Sequence, residues 1–170
     1  MKKSMTVFLL LIVCVYSSAC GHYLKWDTPE KIVAVYHENE EYFNTAEEAI
    51  CRYVGSIPHV RIRTSEDARD SNIFVEEING LYFEGPRSLT PSDCRFLYDA
   101  ISPLMERCHC SAVALTDSKV EFLLEGPIYG RSAELYYYLD TEFVGKNYGQ
   151  LDDAEYLRID PHWYAHISHD

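Results

Sequence analysis

The chain predicts an α+β domain, with two amphipathic helices packed on a mainly antiparallel β-sheet. Three observations predict it. The pairs Thr28-Pro29 and Thr90-Pro91 each open a stretch whose apolar residues recur at helical spacing. Short runs rich in β-branched and aromatic residues follow each stretch and are divided by turn residues. The resulting order of helix, strands, helix, strands suits helices gathered on an antiparallel sheet.

The first helix starts where Thr28 can cap, Pro29 suits the first helical position and Glu30 complements the positive end of the helix dipole. Its apolar positions are Ile32, Val33, Tyr36, Phe43, Ala46, Ile50 and Tyr53. They imply one long helix or two abutting ones broken near Asn44-Thr45, with Glu38, Glu40, Glu41, Glu47 and Glu48 on the wet side. Gly55 and Pro58 end it, and Val60 to Thr64 alternates as a half-buried strand does. Ser65 to Ser71 reads as a loop. Asn79-Gly80, between runs 73–78 and 81–84, is a strong hairpin signal because both residues tolerate positive φ.

The second helix begins at Thr90-Pro91-Ser92-Asp93 and carries the stripe Cys94, Leu97, Tyr98, Ile101, Leu104, Met105 and Cys108. Pro103 lies inside it and should kink or split it near Ile101 and Ser102, since proline removes a helix hydrogen bond and crowds the preceding turn. Strands are expected over 111–116, 120–125 and 133–139. Gly145, Asn147 and Gly149 mark a loop, and 156–159 and 163–167 form a closing hairpin around Asp160-Pro161.

The charge is −12 over 170 residues, without a lysine or arginine cluster. Nucleic acid is therefore not an expected partner, because polyanion binding draws on basic surface and counterion release. No nucleotide-binding loop, dinucleotide fingerprint, EF-hand loop or His-Glu-x-x-His motif occurs, so the sequence points to neither a cofactor nor a catalytic residue. Ser132 follows Gly130-Arg131 but lacks the spacing of a nucleophile elbow. Cys108-His109-Cys110 offers soft ligands at poor spacing, with no second cysteine pair, so no metal is assigned there. In the tail, His162, Tyr164 and His166 would share one strand face, with His169 on the other. Tyrosine is in excess, at 14 residues, and Tyr136-Tyr137-Tyr138 falls within a predicted strand where edge aromatics could anchor a protein or glycan.

At the N-terminus Met1-Lys2-Lys3 precedes an apolar stretch from Met5 to Tyr16 and the small residues Ser17-Ser18-Ala19, then Cys20-Gly21. Charged, apolar and small-residue regions in that order make residues 1–19 a secretory signal peptide, too short to span a bilayer comfortably. Ser17-Ser18-Ala19-Cys20 resembles the lipobox of bacterial lipoproteins, with Ser17 where that family prefers leucine. The resemblance implies lipidation of Cys20, which becomes the first mature residue and attaches the protein to the lipid bilayer outside the cytoplasm. Ordinary secretion after cleavage at Ala19 and an uncleaved anchor are the alternatives. Residues 20–27 then form a tether and 28–170 a single domain, and loss of Lys2 and Lys3 takes the mature charge to about −14.

An exported chain with Cys51, Cys94, Cys108 and Cys110 left over permits disulfides. A helix places Cys94 and Cys108 roughly 21 Å apart along its axis, which excludes that pair. Cys51 with Cys108 or Cys110 is the candidate bridge, and buried reduced thiols are the alternative. The function these features support is a membrane-anchored, extracytoplasmic protein-binding or envelope-associated domain, of which an immunity-type protein is a subclass. A hydrolase with a histidine and carboxylate site is the second reading. It would require the Gly126–Arg131 loop and the terminal histidines to line one pocket.

Overall fold

The computed structural model describes residues 28–57, 59–64, 74–125, 131–141 and 156–169. The signal segment 1–19, Cys20, the tether 20–27, the 65–71 loop, the loop holding Gly145, Asn147 and Gly149, and residues 126–130 lie outside them. The described residues form three helices and eight strands: α1 (Pro29–Glu38), α2 (Glu40–Cys51), β1 (Val60–Arg63), β2 (Phe74–Ile78), β3 (Leu81–Gly85), α3 (Pro91–Cys108), β4 (Ala112–Leu115), β5 (Lys119–Glu125), β6 (Arg131–Tyr138), β7 (Tyr156–Arg158) and β8 (Trp163–His169). The strands form one antiparallel sheet in the order β2-β3-β1-β4-β5-β6-β8-β7. The α+β class holds.

The first helical stretch breaks at Asn39 rather than near Asn44-Thr45. Asn39 leaves the helical region at φ −131°, and its side chain donates at 3.0 Å to the Val35 carbonyl, which also accepts from the Asn39 backbone N–H at 3.1 Å, so the chain end is fixed by two bonds from one residue. Asn44 and Thr45 sit within α2, where the Thr45 hydroxyl donates to the Glu41 carbonyl one turn back at 2.7 Å without interrupting the helix. α3 likewise runs unbroken through Pro103. The carbonyl that Pro103 cannot bond belongs to exposed Asp99, where water can replace the missing donor. The predicted stripe is buried except Tyr98, whose hydroxyl instead meets Asn79 Nδ2 at 3.1 Å.

Alternation along each strand sorts the sheet into two faces. Ile62, Phe83, Val113, Phe122, Leu135, Trp163, Ala165 and Ile167 join Ile32, Phe43, Ile50, Leu97 and Leu104 of the helices in one core. Its centre is aromatic: Tyr36 lies 4.9 Å from Trp163, and Phe43 meets Phe122 edge-on at 5.4 Å. Those contacts seat α1 and α2 on β5 and β8, while α3 packs against α2 and β2. Among the described residues no helix is long and apolar enough to cross a membrane.

Cys51, Cys94, Cys108 and Cys110 form no disulfide among the described residues, and the last three are buried. Cys110 donates to the Ala112 carbonyl at 3.1 Å. The tripeptide Cys108-His109-Cys110 ends α3, with His109 in the left-handed region at φ 54°.

Candidate functional site

The sheet face that none of the described helices covers, the helix-free face, carries the polar residues. Register places Arg61, Ala114, Glu121, Tyr136 and Tyr164 in one row across β1, β4, β5, β6 and β8, and Arg63, Ala112, Leu123, Glu134 and His166 in the next. Adjacent residues in such rows are close enough for their side chains to interact.

Glu134 is the hub. Ser132 donates to its Oε1 at 2.7 Å, and Tyr136 and His166 both reach Oε2, the latter from Nδ1 at 3.0 Å. An ionised carboxylate only accepts, so the Nδ1 of His166 carries the proton. Burial acts to raise the Glu134 pKa, but the hydrogen bonds from His166, Tyr136 and Ser132 outweigh it and hold the carboxyl below its ordinary value. The Tyr136 hydroxyl is pushed strongly the other way by burial and by the Glu134 charge. Around this hub the Tyr156 ring lies 4.0 Å from that of His166, and Lys119 Nζ sits 3.6 Å above the Tyr136 ring while pairing with Glu121 at 2.8 Å. Tyr138 and Tyr164 meet edge-on at 5.3 Å.

Beside the hub lies a depression of about 320 Å³ lined by Arg61, Ala112, Ala114, Glu121, Leu123 and Glu134. Its cause is local sequence: β4 presents only Ala112 and Ala114 to this face, between strands that present arginines and longer side chains. Arg63 pairs with Glu84 on its far side.

The terminal histidines do not share a face as the sequence suggested. His166 belongs to the helix-free face, but His162 precedes β8 and stacks at 5.1 Å on Tyr137, which is packed against the core. The Asp160 carboxylate accepts from the backbone of His162 and Trp163 at 2.7 and 2.8 Å, holding a turn at which the strand's alternation has not yet begun. His162 instead approaches Glu47, which was expected on the wet side and is half-buried. Burial raises the Glu47 pKa, partly countered by hydrogen bonds from Cys51 and Tyr137. Burial and then Glu47 push the Cys51 thiol far up, so it stays protonated and poorly nucleophilic.

Sequence reasoning singled out His166, Tyr136 and Tyr138, and passed over Glu134, Arg61 and the two alanines. Period-two spacing of Ser132, Glu134 and Tyr136 was the available signal for one polar face, but their neighbours on β5 and β8 depend on the pairing register. No group of three or more histidine, cysteine, aspartate or glutamate side chains suited to a metal occurs among the described residues. The chain matches no protein-family model, no curated protein and no solved structure.

Proposed function

We propose that the protein is a lipoprotein held outside the cytoplasm by acylated Cys20, and that it acts by binding a protein partner through the helix-free sheet face. The observation that carries the binding reading is the hub itself. Glu134 is engaged by three donors on two strands, so its neighbours Tyr136 and His166 are held in one arrangement, as recognition requires. Aromatic residues dominate the surrounding face, and such residues provide large contact area with a polar tip. An immunity-type role is one form this binding would take.

A photo-crosslinking residue at Tyr82, which pairs with Arg63 across β1 and β3 and shares its face, or at Tyr164, in the native host, is expected to capture a discrete partner, whereas one at exposed Glu48 on α2 is not. Equal capture from both faces, or none from either, would reject the binding face. Intact mass of the membrane fraction tests the anchor: a species starting at Cys20 with acyl mass is expected, and a soluble, unmodified species would reject it.

One observation favours a second reading. Glu134 orients the Nδ1 of His166, which is the base-orienting half of many hydrolytic sites. Turnover of peptide, glycan or ester substrates that disappears in His166→Ala would establish an envelope hydrolase, and absence of turnover would remove this reading.

A further inference from the structure

The depression over β4 is electrically bipolar. On its β1 side stand Arg61 and Arg63 against Glu84, one net positive charge, and Glu84 is already taken by Arg63. Among the described residues Arg61 has no ion-pair partner, and it is exposed. On the opposite side stand Glu121 and Glu134 against Lys119, one net negative charge with histidine counted neutral. Between the two lies an apolar floor formed by Ala112, Ala114 and Leu123. Because β1 and β5 flank β4, Arg61 and Glu121 stand on strands roughly 10 Å apart, twice the spacing of neighbouring strands, and Glu134 stands one strand further, on β6.

We propose that this depression binds a zwitterionic short peptide, with its carboxylate on Arg61, its ammonium toward Glu121 and Glu134, and its small side chains on the alanine floor. The inference rests on the binding reading above and names what the face recognises. Charge complementarity selects the class. A simple anion would meet the two glutamates, and a simple cation would meet Arg61, whereas a molecule with both charges at opposite ends satisfies both walls. Guanidinium recognises carboxylate with two parallel hydrogen bonds, which fixes the end that lies on β1. Length agrees as well: an extended dipeptide or tripeptide spans about 7 to 10 Å. The volume of about 320 Å³ falls within the range of small-ligand pockets. The shape depends on the two alanines, since a larger side chain at either position would fill the floor.

Full-length protein purified in detergent provides the test, by calorimetric titration with L-alanyl-L-alanine, its N-acetyl derivative and its C-terminal amide. The free dipeptide is expected to bind at least tenfold more tightly than either blocked form. Arg61→Gln, at an exposed position, should erase the difference between the dipeptide and its amide, and Glu121→Gln should erase the difference between the dipeptide and its N-acetyl form. Ala114→Leu should abolish binding while leaving the melting temperature within a few degrees. Equal binding of free and blocked dipeptides, no saturable binding of any of them, or an unchanged preference in Arg61→Gln would overturn the proposal. Crosslinking from Tyr82 or Tyr164, outside the depression, separates the two failures: capture there with no dipeptide binding leaves the protein-binding face standing and rejects the zwitterion site.

Discussion

His109 closes α3 at φ 54°, a conformation that costs a residue with a Cβ roughly 1 kcal/mol. Glycine is free of that cost and is the usual residue at such helix ends. His109→Gly is therefore expected to raise the melting temperature by a few degrees, measured by calorimetry, and a lower value would show that the exposed imidazole makes a stabilising contact. The four thiols are a second matter of individual residues. Burial, then the charges of Glu76 and Asp93, push the Cys94 thiol up to about 11, and burial raises Cys110. Since the thiolate is the reactive form, alkylation of native protein at pH 8 should be slow at Cys51, Cys94 and Cys110 and complete after unfolding in urea. Rapid native labelling of half-buried Cys51 would contradict the Glu47 contact that holds it protonated.

Each element owes its boundaries to a few such residues. At the start of α3 the Thr90 hydroxyl accepts from the Asp93 backbone N–H at 3.3 Å, and the Asp93 carboxylate accepts from the Thr90 N–H at 2.9 Å. Thr90→Ala should cost about 1 kcal/mol in urea denaturation, the usual loss for a cap of this type. The β2–β3 turn has Asn79 at φ 49° and Gly80 at φ 82°, the pair of positive values that matches the twist of a two-residue hairpin. These local signals were legible because the residues involved act on their own backbone. The break at Asn39 and the continuity of α3 through Pro103 were not. One depends on which of several polar residues finds a carbonyl, and the other on which side of the helix the proline's lost bond falls.

For the molecule as a whole, pH response joins the two faces. The folded-state pKa values of Glu134 and Asp93 are lowered, Asp93 by the Thr90 side chain and then its backbone, from ordinary values of 4.5 and 3.8. A lowered carboxyl contributes stability that is present above its ordinary value and lost as pH falls through the folded one. Glu47 is raised by burial, so its contribution is full below its ordinary value of 4.5 and is lost as pH rises through the folded one. Melting temperature against pH should therefore fall on the acid side, with a shallower fall in Glu134→Gln, and Glu47→Gln should flatten the slope above pH 4.5. An acid limb unchanged by Glu134→Gln would mean that the hub contributes nothing to folding. Phe122→Ala, at the centre of the aromatic core, should cost about 3–5 kcal/mol, a large part of a domain's stability.

The sequence by itself determined the starts of α1 and α3, the Asn79-Gly80 hairpin, the closing hairpin at Asp160-Pro161 and the α+β class, because proline at a first helical position, the capping box at Thr90, turn conformation and apolar periodicity act over a few neighbouring residues. It also supplied the expectation of export and of lipid at Cys20, which is written in the first 20 residues alone. Tertiary structure decided the rest. It ordered the strands, assigned His162 to the core side and His166 to the open side, and turned Glu47 inward. It also brought Arg61, Ala114 and Glu121 into one row from three strands. The physical reason is that strand pairing register is a relation between distant segments, and a one-residue slip would move every one of those side chains to the opposite face.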